Sequence, residues 1–235
     1  MAIADIRRDY SLGGLNRTEL EADPLTQFNQ WFAQASAQKG GSRLRKIGIA
    51  LFKLWHAVLG HSPADVNAMV LATVDKHGLP SSRTVLLKGV DGRGFIFFTN
   101  YDSRKGRELS ENPNAALTFY WPELERQVCV GGTVEKLPKP ESEAYFKSRP
   151  RGSRLSAWAS PQSQKMESRE VLEEKWREIA KRFPGENVPL PENWGGYVLV
   201  PNRVEFWQGR PSRLHDRFCY RKLPSGQWEI ERLAP

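Results

Sequence analysis

Apolar and polar positions recur with two different periods along the chain, and the change of period separates an early helix from a long strand-rich stretch. Asp23 and Pro24 suit the N-cap and the first turn of a helix. One apolar stripe at helical spacing continues that helix, made of Leu25, Phe28, Phe32 and Ala35. After residue 67, short apolar runs separated by turns predict strands over 69–74, 82–90, 95–99, 115–121, 127–136, 198–207, 213–221 and 228–232. Two further helices are predicted over 141–148 and 163–183.

This order of elements predicts the fold class. Strands that follow one another through short turns favour an antiparallel barrel with helices packed outside it. We therefore expect a mainly β protein with peripheral helices, forming a single domain over 1–235. The sequence contains no evident internal repeat or membrane-spanning run.

Composition indicates the class of protein and the cellular compartment to expect. Hydrophobic residues make up 39% of the 235 positions and charged residues 26%, which is typical of a globular chain. The two cysteines, Cys129 and Cys219, are too few for a disulfide framework. No apolar run of signal-peptide length occurs near the N-terminus. We therefore expect a cytoplasmic protein.

The net charge of +8 depends strongly on one segment, residues 39–62. That segment contains five Lys or Arg residues and no acid, and without them the net charge would be +3. Leu51, Leu54, Trp55 and Val58 lie on one face of a helix drawn through it, opposite the cations. A helix packed on the barrel or on a dimer is favoured over a membrane- or partner-binding helix or a mobile insert. No nucleic-acid partner is expected.

The first candidate for chemistry is Arg-Leu-His-Asp-Arg, which places Arg213, His215 and Arg217 at alternate positions. On a strand these three side chains would share one face. Two permanent cations beside a titratable ring would suit an anionic substrate with a redox or proton-transfer centre. The alternative is a solvated strand edge.

A second candidate is a phosphate site. Arg83 and Lys88 bound an apolar run, and Ser103 is a good N-cap for a helix whose first turn would hold Arg104 and Lys105. Cations there oppose the helix dipole unless an anion lies between them and the helix terminus. The alternative is an ordinary exposed turn. The sequence has no Gly-x-Gly-x-x-Gly, Walker or Cys-x-x-Cys motif, and its four histidines are scattered, so no metal site is expected.

Three further polar or aromatic positions could contact a planar ligand. The amide of Gln127, at the start of a strand, can donate and accept hydrogen bonds along a heteroaromatic edge. Gln162 and Ser163 precede the predicted helix, where Ser163 could instead be only an N-cap. Trp207 could stack on a ligand or belong to the core.

The ordered motifs of the chain resemble those of the pyridoxine/pyridoxamine 5′-phosphate oxidase family. They are Arg-Thr-Val-Leu-Leu-Lys, Thr-Asn-Tyr-Asp-Ser-Arg-Lys, Glu-Arg-Gln-Val, Ser-Arg-Pro-Arg, Gln-Ser, Trp-Gly-Gly-Tyr, Glu-Phe-Trp-Gln-Gly and Arg-Leu-His-Asp-Arg. The resemblance covers about 6–38 and 67–235, and the segment 39–62 departs from it.

This resemblance implies an FMN-binding split barrel that acts as a homodimer, with FMN at the subunit interface. The implied FMN contacts are Arg83, Thr84, Val85, Leu86, Leu87, Lys88, Phe98, Thr99, Arg104, Lys105, Gln127, Gln162, Ser163, Trp207 and Arg217. The implied substrate contacts are Arg7, Arg8, Asp9, Tyr10, Lys88, Tyr145, Arg149, Ser153, Arg213, Leu214 and His215. Arg213 and His215 would be the catalytic pair, and residues 1–22 would contain a lid over the substrate. Phe98 stands where the family often has Tyr.

The implied reaction oxidises pyridoxamine or pyridoxine 5′-phosphate to pyridoxal 5′-phosphate. A hydride would pass from the 4′ carbon to flavin N5, and O2 would be reduced to hydrogen peroxide. One alternative is a split-barrel protein that binds flavin or a vitamer without turnover. Another is a nucleic-acid- or membrane-binding module that depends on the basic segment 39–62.

Overall fold

The computed structural model describes residues 2–5, 9–40 and 65–235. The helices are α1 Pro24–Gly40, α2 Arg104–Glu111, α3 Lys139–Ser148, α4 Arg151–Ala159 and α5 Arg169–Arg182. The strands are β1 Ala68–Val74, β2 Pro80–Leu86, β3 Gly89–Asp91, β4 Gly94–Asn100, β5 Asn114–Trp121, β6 Arg126–Lys136, β7 Trp194–Gln208, β8 Asp216–Lys222 and β9 Trp228–Leu233. Short 3₁₀ turns cover Ile3–Asp5, Arg17–Glu19 and Pro211–Arg213. The expected mainly β, antiparallel class with peripheral helices is confirmed.

The chain divides into two compact units. The first unit consists of residues 1–69, 118–130 and 203–235, and the second of residues 70–117 and 131–202. The expectation of a single domain, with an N-terminal lid and an appended segment, stays a prediction. Most of the segment 39–62, from residue 41 onward, lies outside the described residues.

The first unit packs α1 against strand residues through aromatic side chains. Asp23 caps the helix as predicted, because its carboxylate accepts a hydrogen bond of 2.8 Å from the backbone N–H of Thr26. Phe28 is fully buried with its ring 4.9 Å from that of Phe119. Strand β7 pairs antiparallel with β8, and β8 with β9, so that Trp207 lies opposite Arg217.

The second unit is built on strands whose buried faces are strongly apolar. Phe95 and Phe97 on β4 are fully buried, and β4 pairs antiparallel with β7 and with β3. Gly94 begins β4 with φ +148°, and a Cβ there would lie 2.0 Å from the carbonyl oxygen of Leu199. Only glycine permits this tight turn beside β7. A second cluster joins the helices to β7 through Phe146, Leu155, Val188 and Trp194.

Several predicted boundaries were wrong, each for a local reason. The single strand expected over 82–90 is interrupted between Leu86 and Gly89, where Leu87 turns into the core with 6% exposure. The helix expected from residue 163 begins at Arg169, because Ser163 has a left-handed backbone with φ +69° and cannot open a right-handed helix. Helix α4 was not predicted. Strand β7 begins at Trp194, four residues before the predicted start.

The strand expected over 213–221 begins only at Asp216. Pro211 opens a 3₁₀ turn in which Ser212 and Arg213 have φ values of +56° and +61°. Side chains alternate between faces only in extended backbone. The prediction that Arg213, His215 and Arg217 share one strand face was therefore wrong.

Candidate active site

A cleft of about 770 Å³ in the second unit brings together most of the predicted binding residues. Its size is that of a typical small-molecule site. The predicted residues that line it are Arg83, Thr84, Val85, Leu86, Lys88, Phe98, Thr99, Arg104, Lys105, Tyr145, Arg149, Ser153, Gln162 and Ser163. Leu87 is not among them because it is buried in the core. Sequence segments that lie between residues 81 and 194 therefore converge on one concave surface.

The N-terminus of α2 supplies two cations to this cleft. Ser103 is the predicted N-cap, and its hydroxyl oxygen accepts a hydrogen bond of 3.2 Å from the backbone N–H of Gly106. Arg104 and Lys105 then occupy the first turn, as predicted. Both cations lie beside the positive end of the helix, an arrangement that an anionic ligand would stabilise.

Lys105 is a buried amine held by neutral oxygens. Its Nζ donates hydrogen bonds to Thr99 Oγ1 at 2.9 Å, to Gln162 Oε1 at 3.0 Å and to Ser103 Oγ at 3.2 Å. Burial, together with the nearby charge of Arg83, lowers the pKa of Lys105 to about 8. The amine therefore loses its proton more readily than an exposed lysine does.

The buried carboxylate of Glu108 holds several residues that line the cleft. Glu108 accepts hydrogen bonds from Ser81 at 2.6 Å and from Arg104 at 2.8 Å, and its Oε2 lies 3.3 Å from Arg83 Nη2. Thr73 donates to the same carboxylate. Burial alone would raise the pKa of Glu108, but the hydrogen bonds from Ser81, Thr73 and Arg104 outweigh it and lower the pKa to about 2. Glu108 is thus ionised at neutral pH and holds two cations in position.

An aromatic stack lies beside another cation of the cleft, Arg149. Phe98 stacks on Tyr145 with ring centroids 3.9 Å apart, and Trp194 stacks on Phe98 at 5.5 Å. The guanidinium of Arg149 lies 4.7 Å from the centre of the Trp194 ring. Burial lowers the pKa of Arg149, and its Nη1 is buried without a hydrogen-bond partner among the described residues. A donor left in this way fits a ligand that supplies an acceptor.

Gln162 reaches the cleft from the turn between α4 and α5. Its backbone N–H donates to the carbonyl of Ser160 at 2.9 Å, and its side-chain oxygen accepts from Thr99 and Lys105. Ser163 follows in its left-handed conformation instead of capping a helix. The turn therefore presents both side chains to the cleft.

The other predicted residues lie in the first unit, where three rings form a cluster. Trp207 and His215 have ring centroids 4.7 Å apart, and Tyr10 contacts both edge-on at 5.5 and 5.6 Å. His215 Nδ1 accepts a hydrogen bond of 3.1 Å from the backbone N–H of Arg210. Nδ1 is thereby an acceptor, so the neutral ring carries its proton on Nε2.

The remaining predicted site residues of the first unit differ from one another in exposure and in hydrogen-bond partners. Arg213 and Leu214 are exposed, as is Asp9. Arg217 bonds to Glu205 at 2.8 Å and to the carbonyl of Ala234 at 2.8 Å, while Gln127 donates to Cys129 Sγ at 3.4 Å. Arg7 and Arg8 lie outside the described residues. Sequence reasoning had missed Glu108, Glu125 and Trp194 as site residues. Glu108 lies four residues after Arg104 on one helix, and the other two belong to the motifs Glu-Arg-Gln-Val and Trp-Gly-Gly-Tyr.

The described residues hold no cluster of three or more potential metal ligands. Among the described residues, no helix is long and apolar enough to cross a bilayer.

Comparison with known proteins gives matches over nearly the whole chain. Residues 62–183 match the family model described as pyridoxamine 5′-phosphate oxidase. Residues 194–235 match the model described as the pyridoxine 5′-phosphate oxidase C-terminal dimerisation region. Most of the segment 39–62 lies outside both matches.

Named relatives extend these matches over the whole chain, residues 39–62 included, so the expectation that this segment departs from the family is wrong for these relatives. Proteins from Cupriavidus necator and Ralstonia pickettii, both named pyridoxine/pyridoxamine 5′-phosphate oxidase, are 52% and 53% identical over 99% and 100% of this chain and 99% of their own. PhzG from Burkholderia lata, solved with tetrahydrophenazine-1-carboxylic acid, is 28% identical with a TM-score of 0.79, over 93% of this chain and 95% of PhzG. An FMN-binding protein from Nostoc punctiforme, 21% identical with a TM-score of 0.60 over 77% of this chain and 97% of its own, shares the fold. The chain belongs to the pyridoxine/pyridoxamine 5′-phosphate oxidase family and is an enzyme with the antiparallel, flavin-binding split-barrel fold of that family.

Proposed function

We propose that this enzyme uses FMN to oxidise pyridoxamine 5′-phosphate or pyridoxine 5′-phosphate to pyridoxal 5′-phosphate. One observation carries the proposal: five cationic and no acidic side chains, among the described residues, line the cleft of the second unit. They are Arg83, Lys88, Arg104, Lys105 and Arg149. This excess of positive charge suits two phosphate esters, one on the flavin and one on the vitamer.

The residues around α2 fit the phosphate of FMN. Arg104 and Lys105 lie at the N-terminus of the helix, and Arg83 is held beside them through Glu108. These groups, with Thr99, would bind the FMN phosphate, and Gln162, Gln127, Trp207 and Arg217 would contact its ring system. When bound, FMN would supply a hydride acceptor at N5 that O2 reoxidises with release of hydrogen peroxide; with the amine vitamer, water would also be consumed and ammonia released.

Other residues are assigned to the vitamer. Lys88 and Arg149 would bind its phosphate, aided by hydrogen bonds from Tyr145 and Ser153. The buried Nη1 of Arg149, which has no hydrogen-bond partner in the part of the chain that the structure describes, supports this role, because a phosphate oxygen would satisfy it. Arg213 and His215 would orient the vitamer ring, with the Nε2 proton of His215 available as a hydrogen-bond donor.

The assembly proposed is a homodimer with FMN at the subunit interface. The match of residues 194–235 to a dimerisation region supports it. The N-terminal segment that includes Arg7, Arg8, Asp9 and Tyr10 would close over the vitamer; the contact of Tyr10 with His215 is consistent with that role.

Visible absorption and product analysis test this function. The purified protein should retain FMN and should form pyridoxal 5′-phosphate and hydrogen peroxide in equal amounts when given the vitamer and O2. A flavin-loaded protein that binds the vitamer and forms neither product would favour the non-catalytic alternative instead.

A further inference from the structure

Glu125 stands out in the first unit because it combines burial, charge and unusual backbone geometry. It is only 2% exposed, and its φ of +54° lies in the left-handed region. Few residues other than glycine adopt that region without a structural reason. The contacts of its side chain and of its backbone supply the reason.

The carboxylate of Glu125 binds the N-terminal segment. Its Oε2 accepts hydrogen bonds from the backbone N–H groups of Ser11 at 2.8 Å and Leu12 at 3.0 Å. Two successive N–H groups that converge on one oxygen form a small anion-binding site in the main chain. More than 110 residues separate the partners in sequence, so this contact fixes where the segment lies on the first unit.

The backbone of Glu125 is itself held by residues next to the aromatic cluster. Its carbonyl oxygen accepts hydrogen bonds from Gly209 N at 2.8 Å and from Gln208 Nε2 at 3.3 Å. Gly209 directly follows Gln208 in the chain, and a Cβ atom at residue 209 would lie 2.8 Å from the ring of Tyr10. Glycine at 209 thus lets the Tyr10 ring approach, while Glu125 holds the two residues that follow Tyr10.

We infer that Glu125 is a positioning residue, whose carboxylate holds Ser11 and Leu12 and thereby keeps Tyr10 edge-on against Trp207 and His215. The inference rests on the proposed function, in which His215 contacts the vitamer. The carboxylate of Glu125 contacts the backbone of Ser11 and Leu12, so the effect on turnover that we infer passes through the neighbouring Tyr10.

A double-mutant cycle on the full-length, flavin-loaded protein tests this assignment. The variants are Glu125→Ala, Glu125→Gln, Tyr10→Ala and Glu125→Ala with Tyr10→Ala. Glu123→Gln is the matched control, because Glu123 lies in the same turn with an exposed side chain. Hydrogen exchange of the Ser11 and Leu12 amides and kcat/KM for pyridoxamine 5′-phosphate are measured for each.

Glu125→Ala should speed exchange at both amides and lower kcat/KM about tenfold or more, the usual effect of losing hydrogen bonds to a charged group. The double variant should be no slower than Tyr10→Ala alone, because both changes remove the same interaction. Glu125→Gln keeps a neutral acceptor and should fall between wild type and Glu125→Ala. Flavin content should stay at one per chain throughout.

The inference would be overturned if hydrogen exchange of the Ser11 and Leu12 amides were unchanged in Glu125→Ala. It would also be overturned if the fold-loss in kcat/KM of the double variant were the product of the losses of the two single variants. If Glu125→Ala does not fold, the inference would be overturned by a Glu125→Gln variant whose amide exchange and kcat/KM both equal those of the wild type. A wild-type protein without vitamer oxidation would refute the proposed function instead, and the exchange measurement would still decide whether Glu125 anchors the segment.

Discussion

At the residue scale, the cations of the cleft differ in how well the protein itself satisfies them. Arg83 and Arg104 share the buried carboxylate of Glu108. Lys105 has only neutral oxygen acceptors, and Arg149 rests on an aromatic ring with one nitrogen unpartnered among the described residues. The last two therefore have the most to gain from an anionic ligand.

Replacement of Arg149 by Leu should weaken binding of the vitamer and spare the flavin. A hydrogen bond to a charged group contributes about 1.5–3 kcal/mol, so KM should rise roughly tenfold to a hundredfold. Steady-state kinetics and flavin content measure both effects. Arg151→Leu is the control, because Arg151 bonds to the carbonyls of Gly185 and Phe183 and does not line the cleft. Loss of flavin with an unchanged KM would contradict the assignment.

The pKa of Lys105, about 8, predicts that FMN affinity depends on pH. A phosphate binds the protonated amine better, so the affinity of the unliganded protein for FMN should fall as the pH rises through 8. The fall between pH 7 and pH 9 should be about tenfold, which is the change in the protonated fraction of an amine with a pKa of about 8. Quenching of flavin fluorescence gives the dissociation constant. Lys105→Arg should bind with little change over this range; an equal fall in that variant would assign the effect to another group.

At the element scale, Glu108 connects α2 to two strands. Its carboxylate accepts hydrogen bonds from Thr73 on β1 and Ser81 on β2, and it pairs with Arg104 on its own helix. Residues that line the cleft are therefore held by one side chain that reaches three elements.

Glu108→Gln should reduce stability in a pH-dependent way. The pKa of Glu108 is lowered to about 2 in the folded protein. At pH values above the ordinary carboxyl pKa, the ionised side chain therefore stabilises the folded protein by about 3 kcal/mol. That contribution is lost as the pH falls from about 5 to about 2. Urea unfolding of both proteins at pH 7 and pH 3 measures the difference, with exposed Glu111→Gln as control. A difference independent of pH would rule out the charge as its source.

Sequence patterns predicted the regular elements well and the irregular ones poorly. Helix α1 and strand β1 follow from periodic apolar residues that the core buries. The turns at Ser163 and at Ser212–Arg213 were missed, because serine and arginine give no local signal for a left-handed backbone. Helix α4 was missed because it is short and includes Gly152. In the candidate site, the order of the family motifs predicted the cations of the cleft. The role of Glu125, in contrast, depends on a contact with Ser11 that only tertiary folding creates.

At the scale of the whole molecule, some apolar strand residues in the second unit are exposed. Val70 on β1 is 42% exposed and Leu86 on β2 is 36% exposed. Leu86 also lines the cleft. Exposed apolar side chains on a sheet face fit an interface, and here that interface would border the proposed flavin site.

Val70→Glu should therefore convert the proposed homodimer to monomer and lower its flavin content. Burial of an unpaired charge in an apolar interface is strongly unfavourable. Light scattering after size-exclusion chromatography gives the mass, which should be that of two chains for wild type and one for the variant. Leu79→Glu, in the turn between β1 and β2, is the matched control and should remain dimeric. A dimeric Val70→Glu protein with full flavin content would place the interface elsewhere.

The most direct test of the proposed oxidase is a single turnover followed by visible absorption. Flavin-loaded protein mixed with pyridoxamine 5′-phosphate without O2 should lose its flavin absorbance and form one pyridoxal 5′-phosphate per flavin. Admission of O2 should then restore the absorbance and release one hydrogen peroxide. Flavin that stays oxidised in the presence of bound vitamer would contradict the proposed function.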